Sequence, residues 1–240
     1  MVEDRGDTFT VLLYLRRADG RIVPYRLWID ARTVEVEVRE AVPDRLPTWC
    51  PELHINNGGL FCLGYGADAP DPVTSAEAAD NWWGIVISFL KLQERAKRLK
   101  RWPNGNAWAH GGAAKHQAAA DKIAAAFDAG LYAQLRAGHL RVEMHKGRFL
   151  RVMAGEKHIY SVWNDAEPRI VNVRRPCMCG SGRPMNRCGN HADLAAGLAS
   201  ALSNMVSATA GFWDSFQNRK CCERTNTCPL LEKEKVAGPT

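Results

Sequence analysis

The stretch Cys177-Met178-Cys179-Gly180-Ser181-Gly182-Arg183-Pro184-Met185-Asn186-Arg187-Cys188 constrains this chain more than any other. Thiols at such short spacings rarely arise from packing alone, and they come within reach of a single ion. Six of the eight cysteines lie between positions 177 and 228, whereas Cys50 and Cys62 stand apart. That split suggests two jobs. In a reducing compartment clustered cysteines read as metal ligands or catalytic thiols rather than disulfides. No apolar run approaches the roughly 20 residues of a membrane span. The first residues carry acids (Glu3, Asp4) with no apolar block behind them, so no signal peptide is visible and a cytoplasmic protein is expected.

The cluster resembles the SEC-C type metal-binding motif, in which Cys-x-Cys-Gly-Ser-Gly leads to a further Cys and a neighbouring Cys or His. The resemblance implies a structural zinc on Cys177, Cys179 and Cys188. Gly189 stands where the motif's adjacent ligand would be, so His191 is taken as the fourth. Cys221, Cys222 and Cys228 leave that choice open: one of them replaces His191, or the three join it in a second site. Four ligands close a tetrahedral site with no open position for water. Such an ion supplies folding energy rather than catalysis.

Elsewhere the pattern is α+β. Residues 8–16 and 22–29 read as strands around a turn at Ala18-Asp19-Gly20, and 33–39 alternates strictly between apolar and polar, which predicts a third strand of an antiparallel meander. Residues 43–66 are rich in Pro and Gly and lack periodicity, yet hold His54, Asn56 and Cys62; long irregular segments in compact domains tend to be functional. A helix is predicted from about 75 to 101, with Thr74 and Glu77 at capping-box spacing. An Ala-rich helix is expected over 113–127, with a short continuation to 135. Strands are predicted at 140–144, 149–153 and 158–163, and a last helix from 192 to 216. The boundary is drawn near Gly138, giving a first domain of 1–137 and a cysteine-rich module of 138–240 built from a β-hairpin and a helix.

The strip Leu53-His54-Ile55-Asn56-Asn57-Gly58-Gly59-Leu60-Phe61-Cys62-Leu63 resembles the active-site strip of the ubiquitin-conjugating enzymes, most closely their divergent bacterial members. That family has a strand meander, a His-Pro-Asn motif, a Gly, a catalytic Cys followed by Leu, then a Trp and helices. Here His54, Asn56, Gly59, Cys62 and Leu63 match, and Trp82 or Trp83 supplies the Trp. Ile55 replaces the Pro, and the His-to-Cys spacing is two residues shorter. The resemblance implies a ubiquitin-conjugating fold over about residues 8–136. It also implies a ubiquitin-like protein carried as a thioester on Cys62, an activating enzyme that supplies it, a protein target that receives it, and a bacterial defence context. The residue types suit that chemistry. A thiolate attacks well and leaves well, and a side-chain amide can stabilise an oxyanion. Asn56 is the expected donor, with Asn57 as substitute. His54 completes the candidate set and is read as bracing the loop rather than acting as a base. Cys50 is read as structural.

The net charge of +6 is mild, and alone it does not separate a nucleic-acid binder from a protein with an acidic partner. Residues 91–101 carry six bases against one acid, which reads as a solvated helix face or a docking face for an acidic partner. Without aromatic interleaving, nucleic acid is not the expected ligand. The alternative function is a non-catalytic, zinc-bearing adaptor that binds protein or nucleic acid through the cysteine cluster and the basic helix.

Overall fold

The structure, a computed structural model, describes residues 3–4, 7–65, 69–103 and 109–231. They divide into two compact units, one of residues 1–106 with 216–240, the other of 107–215.

In the first unit, strands β1 (Glu3–Asp4), β2 (Thr8–Arg16), β3 (Ile22–Asp30) and β4 (Glu37–Glu40) form an antiparallel sheet in sequence order. β3 alternates as a half-buried strand must: Val23, Tyr25, Leu27 and Ile29 are buried, and Pro24 and Arg26 between them are exposed. Over this face lies α1 (Ala76–Leu99), whose Trp82, Val86, Phe89 and Leu90 enter the same core. Two expectations are corrected here. The strand predicted over 33–39 survives only as β4, because the Thr33 hydroxyl turns back to the Glu35 carbonyl (2.9 Å) and pairing with β3 starts at Glu37. The helix is capped by Ser75, whose hydroxyl accepts from the Ala78 N–H at 3.1 Å, rather than by Thr74.

The second unit holds α2 (Ala113–Phe127), α3 (Ala129–Arg136), the antiparallel sheet β5 (Leu140–His145), β6 (Phe149–Ala154) and β7 (Lys157–Trp163), and α4 (His191–Asp214). Ala120 and Ala124 on α2 and Ala195 and Ala199 on α4 are wholly buried. These small side chains, with Gly197 against Ile123, let two backbones come close. This contact moves the boundary. The unit begins at 107 rather than near Gly138, since α2 has its apolar face committed to α4. Residues 216–231 likewise return to the first unit instead of closing the second.

The Tyr160 hydroxyl, fully buried, donates to the Ala195 carbonyl at 3.0 Å. His110 packs against the rings of Phe212 and Trp213 at 5.2 and 5.4 Å, and burial lowers its pKa to about 4. A group depressed below its ordinary value of 6.5 contributes stability that is present above that value and lost as pH falls through the folded one. The second unit is therefore expected to lose stability between pH 6.5 and about pH 4. The limit is about 1.4 kcal/mol for each pH unit between the two values. His110→Gln should flatten that acid limb in denaturant titrations followed by tryptophan fluorescence.

Candidate functional site

The strip that carries Cys62 is a small irregular hairpin fastened to the edge of the first sheet. Phe61 N–H donates to the Val38 carbonyl of β4 at 2.9 Å, and Leu60 bridges Arg39. Ile55 pairs with both Cys50 and Phe61, and Cys62 N–H donates to the His54 carbonyl at 2.8 Å. The turn between the two arms falls at Gly58 and Gly59, with φ of +74° and +81°, a conformation that costs side-chain-bearing residues dearly. Gly59 N–H is held by the Thr48 carbonyl at 2.7 Å.

His54 is buried, with φ of +55°, and its ring lies 4.7 Å from that of Trp102. Its main chain positions Cys62, while its ring anchors the loop. From α1, the buried Gln93 amide donates to the Leu53 carbonyl at 2.6 Å. Gln93→Leu would leave that carbonyl unsatisfied. It is expected to cost about 1–3 kcal/mol in chemical denaturation and to change the rate at which Cys62 reacts with a thiol reagent.

Cys62 is half-buried. Burial pushes its thiol above the ordinary value, while the Gly64 backbone draws it down. The residues that bracket it, Phe61 with Leu63 and Gly64, help form a cleft of about 440 Å³ whose walls also include Asn56, Asp71 and Trp82 but not Cys62 itself. The buried Trp82 indole N–H has no hydrogen-bond partner there. Asn56 is exposed. Asn57, the substitute donor, has its side-chain oxygen engaged by Arg219 at 2.7 Å. Of the downstream acids, Asp68 lies outside the described residues, Asp71 lines the cleft and Asp80 is on α1.

Sequence reasoning missed that the strip is covered by the end of the chain. Arg219 also stands over the Trp49 ring at 4.9 Å, and Phe216 meets the same ring at 5.1 Å. The Thr227 hydroxyl donates to Glu52 at 2.7 Å, and Asn226 N–H donates to the Lys100 carbonyl at the end of α1. Cys222 packs against the core beside Cys50.

In the second unit the ligand atoms of Cys177, Cys179, Cys188 and His191 all lie within 4.8 Å of one another. Cys177 Sγ is 3.0 Å from His191 Nδ1, and Cys179 Sγ is 3.4 Å from Cys188 Sγ. Pro176 and Pro184 bridge the two arms of the knuckle, and Gly180 turns it with φ of +73°. His191 opens α4, its ring held 4.8 Å from Phe127. Hydrogen bonds from the Ser181 hydroxyl and backbone lower the Cys179 thiol to about 6, whereas burial raises Cys177 to about 11. Three sulfurs and one imidazole nitrogen at this separation fit a closed tetrahedral metal site. Cys221, Cys222 and Cys228 belong to the other unit and take no part in it, so none of them replaces His191.

A family model described as the prokaryotic E2 domain matches residues 1–104, and one described as a cysteine-rich domain, C-terminal to the E2 domain, matches residues 109–230. The chain belongs to this family of prokaryotic E2-like proteins with a cysteine-rich C-terminal domain. An E2-like role in ubiquitin-like conjugation goes with that membership, as do a ubiquitin-like protein and an activating enzyme as partners. The matches meet between 104 and 109, close to the division at 106/107. No curated protein and no solved structure matches the chain. Among the described residues no helix is long and apolar enough to cross a membrane.

Proposed function

We propose that this E2-like protein accepts the C-terminal carboxyl of a ubiquitin-like protein from an activating enzyme's thioester onto Cys62 and passes it to an amine of a target. In the first step Cys62 Sγ attacks the activated carbonyl, the bond to the activating enzyme's sulfur breaks, and that sulfur leaves as thiolate. In the second a deprotonated amine attacks the Cys62 thioester, an amide forms, and the Cys62 thiolate is released. The observation that carries the reading is the isolation of the Cys62 thiol. Every other cysteine of the first unit has another thiol acting on it, whereas Cys62 is half-buried and its thiol feels burial and the Gly64 backbone.

The cleft beside it suits an extended peptide tail. Asn56, on the wall of that cleft, is the proposed oxyanion donor; losing such a donor costs about 2.7–4 kcal/mol in the barrier. His54 serves through its position rather than as a base. A second cleft of about 560 Å³, lined by Arg16, Arg17, Lys91, Glu94, Arg95 and Arg98, offers a basic face for an acidic patch of the activating enzyme. Cys177, Cys179, Cys188 and His191 hold zinc in a structural role.

The test is incubation with activating enzyme, ubiquitin-like protein and ATP, followed by electrophoresis without reductant. An adduct removed by reductant and absent in Cys62→Ala supports the proposal. An adduct that persists in Cys62→Ala overturns it. The adaptor reading has no comparable observation behind it.

A further inference from the structure

The cysteines that the first metal site leaves out converge on one place in the other unit. Cys50, at the start of the active-site strip, and Cys221, Cys222 and Cys228, near the chain's end, are neighbours in the order Cys50, Cys222, Cys221, Cys228, each thiol acting electrostatically on the next. Cys50, Cys221 and Cys228 are buried and Cys222 is half-buried. Free thiols do not need such an arrangement, since a buried cysteine packs well as a lone small hydrophobe.

A second feature is independent of sulfur-to-sulfur contact. Each of the four sulfurs is faced by backbone N–H groups a few residues downstream. Glu223 N–H donates to Cys221 Sγ at 3.3 Å, with Glu223 itself turned to φ of +56°. The Arg224 backbone serves Cys222, those of Leu230 and Leu231 serve Cys228, and that of Leu53 serves Cys50. Amides aimed at sulfur stabilise thiolate and fix its direction, as an outer shell does around a bound metal. The knuckle at Cys177 and Cys179 shows the same device, with the backbones of Cys179 and Ser181 serving the two sulfurs.

We propose that Cys50, Cys221, Cys222 and Cys228 form a second metal site, a tetrathiolate that takes one soft divalent cation of the zinc class. Its sulfurs lie in a chain, no three of them within 4.8 Å of one another, whereas the four ligand atoms of the first cluster all are. Binding therefore draws Cys228 and Cys50 together, and the thiol protons leave to solvent. Four thiolates outweigh a divalent cation by two charges, which the ring of amides disperses. The site ties residues 221–228 to the base of the strip, where Cys50 exchanges hydrogen bonds with Ile55 (2.9 and 3.0 Å). It stands independently of acyl transfer at Cys62.

The experiment is metal analysis of the full-length protein, purified under reductant from zinc-supplemented cells. Wild type is expected to hold two equivalents, and Cys50→Ser and Cys177→Ser one each. Cobalt-loaded Cys177→Ser should give the absorption of four cobalt–sulfur bonds, and cobalt-loaded Cys50→Ser that of three. Should Cys50→Ser fail to fold, the wild type suffices: Cys50, Cys221, Cys222 and Cys228 should resist alkylation until a chelator is added, while Cys62 reacts from the start. One equivalent in the wild type, two retained in Cys50→Ser, or a disulfide recovered between Cys50 and Cys222 overturns the proposal.

Discussion

Replacing Cys62 with serine is expected to turn an adduct that reductant removes into one that survives reductant and yields only to alkali. The backbone is indifferent to the change, because Cys62 is held through its N–H to the His54 carbonyl, and a serine hydroxyl can keep the contact its thiol makes with the Gly64 backbone. The chemistry is not indifferent. Alkoxide is a far poorer leaving group than thiolate, so the ester forms slowly and discharges more slowly still. Transfer to amine should fall by at least about a hundredfold, equivalent to about 2.7 kcal/mol in the barrier. Single-turnover discharge against a free amine measures it. The wild-type reaction carries its own pH signature. Burial raises the Cys62 thiol above its ordinary value of 9.0, so alkylation of the free protein should keep accelerating through that pH instead of levelling off below it. A plateau near neutrality would contradict the cause assigned to the shift.

The second large effect concerns the metal cluster of the second unit. Cys177→Ala or removal of the ion by a strong chelator is expected to unfold residues 107–215 as a body. Structural zinc in small modules binds with about 10–16 kcal/mol of apparent free energy, which is folding free energy where no site exists in the unfolded chain. The cluster joins the 176–188 knuckle to the start of α4, and α4 carries Leu198 and Leu202 into the core. Losing the ion frees that end of the helix. By comparison Leu198→Ala, a wholly buried leucine, should cost about 2–5 kcal/mol. Circular dichroism and differential scanning calorimetry separate the two: the ligand variant should lose a whole transition, the leucine variant should only shift it.

What the sequence made legible follows from the range of the forces involved. Alternation in β2 and β3 and the 3.6-residue stripe of α1 are local signals, and they placed those elements nearly to the residue. The Cys177–His191 cluster was legible because its ligands span few residues and their chemistry admits few uses. The stretch 33–36 alternates as well as any strand, yet pairing with β3 begins only at Glu37 and a hydroxyl-to-carbonyl turn wins. The domain boundary failed because the alanines of α2 carry no mark of which neighbour they will face. The contacts on the strip were out of reach for a related reason: Arg219 and Asn57 are 162 residues apart, and no periodicity links them. One clue was present. Three cysteines at 221, 222 and 228 are one short of a tetrahedral set, and Cys50, read from sequence as structural, is the thiol proposed to complete it.

The return of residues 216–231 to the first unit has a consequence for the order in which the protein matures. A chain emerging from the ribosome presents the sheet, the strip and α1 first, and then must complete an entire second unit before the segment bearing Arg219 and Cys222 exists. During that interval Cys62 is already made but its scaffold lacks a wall. If Cys62 accepts a carrier as proposed, fragments ending after α1 should be poor acceptors even though they hold that cysteine.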